Sequence, residues 1–232
     1  MMPIWVAPVA RYLAAGLATT LALAAVSIAV SVVLGTVLGA LRVLPSRAVR
    51  LAVRCYVEIW RGLPIIVTLF FIFFVLPVIG LRFDTFVAAA IGLCLWGSAN
   101  VAEVVRGAVQ SVPHGQTDAA AALGFPWGQR MRYVIFPQAV RRALPPLVGL
   151  VVNLTQQTSL ATVIGVLDLL QASQRSIERL TLSSGATHAI PILAAVLVVY
   201  FVICLPLTSL SRRLERSLQR GFSRRTPGGG PG

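Results

Sequence analysis

Asp118-Ala119-Ala120-Ala121-Ala122-Leu123-Gly124, nine further residues, then Val134-Ile135-Phe136-Pro137: this stretch divides the chain. It is rich in turn and charged residues, and strongly apolar segments flank it on both sides. Its spacing predicts a short helix over residues 119–123, with Asp118 capping the N-terminus or resting on the helix dipole. Gly124 is placed to end that helix in a left-handed turn. Pro126 can open a second short helix, amphipathic through Trp127, Met131 and Val134. A helix, a glycine turn and a second helix held between two apolar spans make a shape suited to docking another protein.

The composition says what surrounds that stretch. The chain has 232 residues, 57% hydrophobic and only 12% charged, and its mean hydropathy is +0.84. Soluble domains carry about a quarter charged residues, so this is an all-α integral membrane protein with one polytopic domain. Five apolar runs are long enough to cross a bilayer, given about 20 residues per helix. They cover residues 13–41, 63–79, 86–105, 144–167 and 189–210. Residues 1–12 form a lead-in, 13–211 the five-span domain, and 212–232 a basic tail ending in a Pro/Gly-rich segment expected to be disordered. The first run exceeds a signal-peptide core of about 7–15 residues and is read as a retained span. Within it, Gly35 and Gly39 form a small-xxx-small pair that permits close helix contact. Residues 42–61, with Arg42, Arg47, Arg50, Arg54 and Arg61, read as an amphipathic segment at the membrane surface. Residues 168–187 read as a polar loop.

All 20 basic residues are arginine, and their distribution sets the expected orientation. Arg42, Arg47, Arg50, Arg54, Arg61, Arg106, Arg130, Arg132, Arg141 and Arg142 fall on one side together with the tail. Only Arg11, Arg82, Arg175 and Arg179 fall on the other. The positive-inside rule then places the N-terminus outside, with the C-terminus and the central loop, about 107–140, in the cytoplasm. The net charge of +13 lies in these loops, which argues against nucleic acid as a partner. Without lysine the chain cannot build a standard Walker A site, so any ATP hydrolysis belongs to a partner. Cys55, Cys94 and Cys204 have no metal-type spacing, and His114 and His188 have no ligand cluster nearby. No carboxylate pair or nucleophile triad is visible, so neither a catalytic site nor a bound cofactor is expected.

Polar residues inside the apolar runs mark a candidate path. Asn100 lies in the third span, and Asn153, Gln156, Gln157, Thr158 and Ser159 in the fourth. Such groups prefer a protein interface or a water-filled cavity to lipid. Two i,i+3 pairs, Glu58 with Arg61 and Glu103 with Arg106, each precede a glycine and are expected to pair on their helices. Their bland role is charge neutralisation at the interface, and the functional one is bracing a gate.

The central stretch resembles the EAA loop of ABC importer permeases: Glu-Ala-Ala, three residues, Gly, nine residues, Ile, one residue, Leu-Pro. The spacing is kept in full, with Asp118 for Glu, Val134 for Ile and Phe136 for Leu. Around it, Glu58-Ile59-Trp60-Arg61-Gly62-Leu63-Pro64, Glu103-Val104-Val105-Arg106-Gly107 and Thr158-Ser159-Leu160 resemble segments of the polar amino-acid uptake branch. The resemblance implies the type I importer permease fold in a bacterial inner membrane. It implies a permease that forms the translocation path for amino acids and couples to a separate ATPase. It also implies Asp118, Ala119, Ala120, Leu123, Gly124 and Pro137 as the ATPase-coupling elements. The implied partners are a cytoplasmic ATPase dimer that binds Mg-ATP, a second permease subunit, identical or related, and an extracytoplasmic substrate-binding protein. Two positions depart from the family. Gln156-Gln157 stands where Lys-Asp is usual, and Asn100 where an aromatic is common. An ion-pairable site becomes an amide site, which points to an unusual or less charged substrate. The alternative is a secondary transporter or channel subunit that works without ATP. It would need intramembrane ionisable groups or repeated halves, and the spans offer almost none.

Overall fold

Small side chains recur along one edge of the first helix, and they set how the bundle packs. In α1, Val6–Leu41, the buried positions include Gly16, Thr20, Ala24, Ser27, Ser31, Gly35 and Gly39. Their spacing of three or four residues draws one stripe along the helix. The stripe meets α4, Thr85–Gln110. A Cβ on Gly35 would lie 2.5 Å from Val101 Cβ and 2.6 Å from the Ser98 carbonyl oxygen. The two backbones therefore approach as closely as glycine allows, as the small-xxx-small pair predicts.

The computed structural model describes residues 5–185 and 187–223, with the side chains of residues 184 and 217–223 excepted. The Pro/Gly-rich end of the tail and the start of the lead-in lie outside the described residues. Four helical stretches are long and apolar enough to cross a membrane: Val6–Leu41, Thr85–Gln110, Trp127–Ile164 and Ala189–Arg216. A bent pair supplies the fifth span. In it α2, Arg47–Gly62, meets α3 at 101°, and α3, Ile65–Phe70, runs on through a π turn and a 3-10 turn to Ile79. The bend sits at Leu63-Pro64, both extended, because a residue before proline is pushed out of the helical region. The surface segment expected over 42–61 is thus α2. Asp84 Oδ1 accepts from the Phe86 and Val87 N–H groups at 2.9 and 3.0 Å and starts α4.

The long fourth stretch comprises α6, Trp127–Gln129, a π turn over Arg130–Ile135, α7, Phe136–Gln157, and a 3-10 turn to Ile164. Its helix begins well before the expected residue 144. Pro145 and Pro146 sit inside α7, where Ser211 of the last helix donates to the Pro145 carbonyl at 3.0 Å. The main core gathers Leu23, Leu69, Leu93, Leu154, Ala161 and Ile164 from α1, α3, α4 and α7 with its 3-10 turn.

Residues 168–187 are a helix over most of their length, not the loop read from their polarity. α8 spans Leu169–Ser184. Asp168 Oδ1 accepts from Gln171 N–H at 2.8 Å and from Thr162 Oγ1 at 2.6 Å, while Thr20 Oγ1 accepts from Leu169 N–H at 3.0 Å. Burial pushes the Asp168 carboxyl above the usual range, against the lowering effect of its hydrogen bonds from Thr162 and the Gln171 N–H. Leu169, Ala172, Ser173 and Ser176 are buried at i, i+3, i+4 and i+7. A polar helix can bury such a face because small serines leave room for α1. The final helix, α9, covers Ala189–Ser223, so the basic start of the tail extends the fifth span rather than leaving it.

Candidate functional site: a projecting loop and a polar face

The loop is built on the ends of α4 and α7. Ala108, Val112, Ile135, Ala139 and Ala143 form a small apolar cluster at its root. Arg142 Nη1 donates to the Ser111 carbonyl at 2.6 Å. Gln138 Nε2 donates to Gln116 Oε1 at 3.4 Å and to the Val134 carbonyl at 3.0 Å. These bonds tie the two limbs of the loop to each other and to the ends of α4 and α7.

From that root projects α5, His114–Ala122. It starts five residues before the expected 119, and Pro113 occupies the N-cap position with no side-chain cap bond. Asp118 therefore lies exposed in mid-helix and caps nothing. Proline has no side-chain acceptor for the first-turn N–H groups, so α5 begins without a side-chain cap. The helix ends as the sequence predicts. Gly124 has φ of +79°, its N–H donates to Ala121 O at 2.9 Å, and Phe125 N–H donates to Ala120 O at 3.1 Å. The chain then turns at extended Pro126 into α6. Of the α5 alanines only Ala120 is buried. Leu123 is 75% exposed, and Phe125 and Trp127 remain more than a third exposed. Pro137 stands in the first turn of α7, after the π turn, and is exposed. The result is a short helix with a small-residue surface, followed by three unpaired apolar side chains around a rigid turn.

The polar residues of the spans are brought only partly together. Asn100 is half-buried. Its Nδ2 donates to the Trp96 carbonyl at 2.8 Å, and its Oδ1 accepts from Arg61 Nε at 3.3 Å. Asn153 and Gln156 are exposed, while Gln157 and Ser159 are half-buried. Thr158 is wholly buried, and its hydroxyl donates to the Thr155 carbonyl at 2.8 Å. Ser159 Oγ donates to the Gln156 carbonyl at 2.8 Å. Thr158 thus faces protein and lines no open path. Asn153 stays exposed, the Gln156 side chain is exposed but in hydrogen-bond contact with Cys204, and Gln157 is half-buried.

The arginine pairs differ from the simple i,i+3 reading. Glu103 does bond Arg106, but it also takes Arg42 Nη1 at 2.5 Å and Arg61 Nη1 at 3.7 Å. Glu58 takes Arg54 Nε at 2.6 Å, one turn earlier, instead of Arg61. Arg61 points toward α4, because Val53 and Val57 bury one face of α2 against Ala102 and turn Arg61 to the Asn100–Glu103 edge. Tyr56 adds a hydrogen bond to Ser98 at 2.8 Å. Glu103 is therefore a hub joining α1, α2 and α4. Arg42, 61 residues away in sequence, is its partner that local spacing does not reveal. A hub of this kind fixes the angle of α2 and supplies no reactive group. Among the described residues no group of three or more His, Cys, Asp or Glu side chains could hold a metal ion.

Comparison with known proteins gives this geometry a family context. A family model described as the binding-protein-dependent transport system inner membrane component matches residues 31–220. The glutamine transport system permease GlnP of Escherichia coli K12 is 40% identical over 166 residues, 71% of this chain and 73% of that protein. The arginine transport system permease ArtQ of Bacillus subtilis is 32% identical over 167 residues, 71% of this chain and 73% of that one. In three dimensions the chain is similar to a subunit from a crystal structure of an amino acid ABC transporter with histidines. The TM-score is 0.82 at 27% identity, covering 94% of this chain and 100% of that one.

Proposed function

The chain belongs to the binding-protein-dependent transport system inner membrane components, and on that premise we propose that it is the permease subunit through which an ABC importer passes a polar, uncharged amino acid. The observation that carries this reading is the projecting loop, in which a helix and a left-handed glycine turn present exposed Leu123, Phe125 and Trp127 on two braced limbs. Such a surface suits a groove on a soluble ATPase. Permeases of this family work with an ATPase and a substrate-binding protein. Closure of the ATPases on ATP would push α5, and the ties from Arg142 and Gln138 would pass that movement to α4 and α7. Five spans are too few to enclose a pathway alone, so a second permease, identical or related, is expected to face this one across it. The chain supplies no ATP-binding lysine, so Mg-ATP would be held by the partner.

The relatives' names support an amino acid, and the amides at Gln156 and Gln157 support an uncharged one. With Asn153 they put neutral hydrogen-bonding groups, and no ion-pairing partner, on the accessible part of α7. Replacing Gln157 with leucine is expected to lower uptake of the preferred amino acid by roughly ten-fold, the size of one or two lost polar contacts, with normal assembly. Uptake of a panel of labelled amino acids by cells carrying the variant checks this. Unchanged kinetics for every amino acid would remove Gln157 from the path. Binding of the same panel to the cognate binding protein tests the substrate class. Binding confined to sugars or oligopeptides would reject it.

The orientation proposed is N-terminus outside and C-terminus inside, on the strength of the arginine distribution. Reporter fusions at Ser46, Gly128 and the tail are expected to report cytoplasm, and one near Ser184 the outside. An outside signal at Gly128 would put the loop beyond reach of any ATPase.

A further inference from the structure

Five arginines outside the coupling loop gather at one end of the bundle. Arg42 closes α1, Arg47, Arg50 and Arg54 recur along α2, and Arg106 stands in the last turns of α4. With Leu51 and Gln110 they line an open basin of about 330 Å³. A neighbouring basin shares Arg42, Arg54 and Arg106 and contains the carboxylates, Glu58 and Glu103. No carboxylate lines the first basin. Arg50 Nη1 donates to the Leu44 and Pro45 carbonyls at 2.8 Å each, neutral acceptors that hold the guanidinium in place and leave its charge uncompensated. Among the described residues no ion pair includes Arg47 or Arg50. The basin is therefore a prearranged cluster of cations in excess.

Its position tells what meets it. α2 is bent by 101° from the apolar span that follows, so it lies across the end of the bundle rather than along it. Beside the arginines it exposes Leu51 at 62% and Ile59 at 54%. A helix that exposes large apolar groups next to cations, at the end of a membrane span, sits where acyl chains give way to headgroups. Guanidinium forks match phosphate oxygens in pairs.

We infer that this basin binds the phosphate of an anionic phospholipid, with Arg47, Arg50 and Arg54 on the headgroup and Leu51 against its apolar part. The lipid would anchor α2 at the interface, and through the Glu103 hub it would hold the angle between α2 and α4. This inference does not depend on the substrate or on the direction of transport.

The test uses the full chain, co-purified with its transport partners and placed in bilayers of phosphatidylcholine with or without spin-labelled phosphatidylglycerol. The wild type is expected to retain phosphatidylglycerol over phosphatidylcholine. Arg47→Gln is expected to weaken that retention about five-fold, the effect of one cation near an anionic lipid surface, and Arg47→Gln with Arg54→Gln more strongly. Arg47 has no ion-pair partner to lose, so the variant keeps its fold. Equal retention of the two lipids by the wild type, or unchanged retention by both variants, would overturn the inference. Displacement of the lipid by millimolar inorganic phosphate would also overturn it, by showing a site for free anions. Loss of the ATPase from the variants with lipid retention unchanged would assign the basin to a protein partner instead.

Discussion

Gly35→Leu is expected to abolish accumulation of the folded permease. A Cβ at this position would already stand 2.5 Å from Val101 Cβ and 2.6 Å from the Ser98 carbonyl oxygen, and the leucine carries three further carbons. Overpacking a well-filled interior costs about 1–3 kcal/mol when side chains can give way. Here one obstacle is backbone, so relief requires α1 and α4 to separate. Separation would also strain the Arg42–Glu103 pair, which joins the same two helices at 2.5 Å. Gly149→Leu is the control, because nothing lies within 4 Å of a Cβ built there. Size-exclusion chromatography of fluorescently tagged protein in mild detergent checks the pair. Gly35→Leu should give no monodisperse peak and Gly149→Leu a normal one. A normal peak from Gly35→Leu would mean that α1 and α4 are not packed as described.

Gly124→Asp is expected to leave the permease folded and to reduce uptake by an order of magnitude or more. A side chain at φ of +79° costs about 1 kcal/mol, and aspartate is among the residues that tolerate this region best. Nothing within 4 Å opposes its Cβ. The damage should therefore fall on whatever docks around Leu123, Phe125 and Trp127, which would meet a charge in an apolar contact. Co-purification of the ATPase with the variant, together with uptake in the same cells, separates the two effects. Wild-type ATPase recovery and wild-type uptake would show that this turn is not the coupling element.

Much of this was legible in the sequence, and the parts that were not share a cause. The five spans follow from apolar length, and Gly35 and Gly39 mark the close approach because only small residues at that spacing permit it. Gly124 is legible because a helix stop followed by proline requires a left-handed residue there. Polarity misleads at residues 168–187, where the buried face of α8 has one large apolar residue, Leu169, and otherwise alanine and serines. The signal was Asp168 as an N-cap, followed by Leu169, Ala172, Ser173 and Ser176 on one face. The start of α5 was hidden because Pro113 begins it without a capping side chain, which leaves Asp118 in mid-helix. Local spacing suggested Glu58–Arg61, but the orientation of α2 is set by Val53 and Val57 packing on Ala102. The Arg42–Glu103 pair and the burial of Thr158 depend on tertiary contacts that no local pattern carries.

Uptake by vesicles reconstituted with the permease, its ATPase and its binding protein tests the central claim most directly. Accumulation of labelled amino acid is expected only with Mg-ATP on the side of the loop. It should be abolished when the Walker A lysine of the ATPase is replaced, and it should not respond to an imposed proton or sodium gradient. Accumulation driven by such a gradient without ATP would contradict the account and make the chain a secondary transporter.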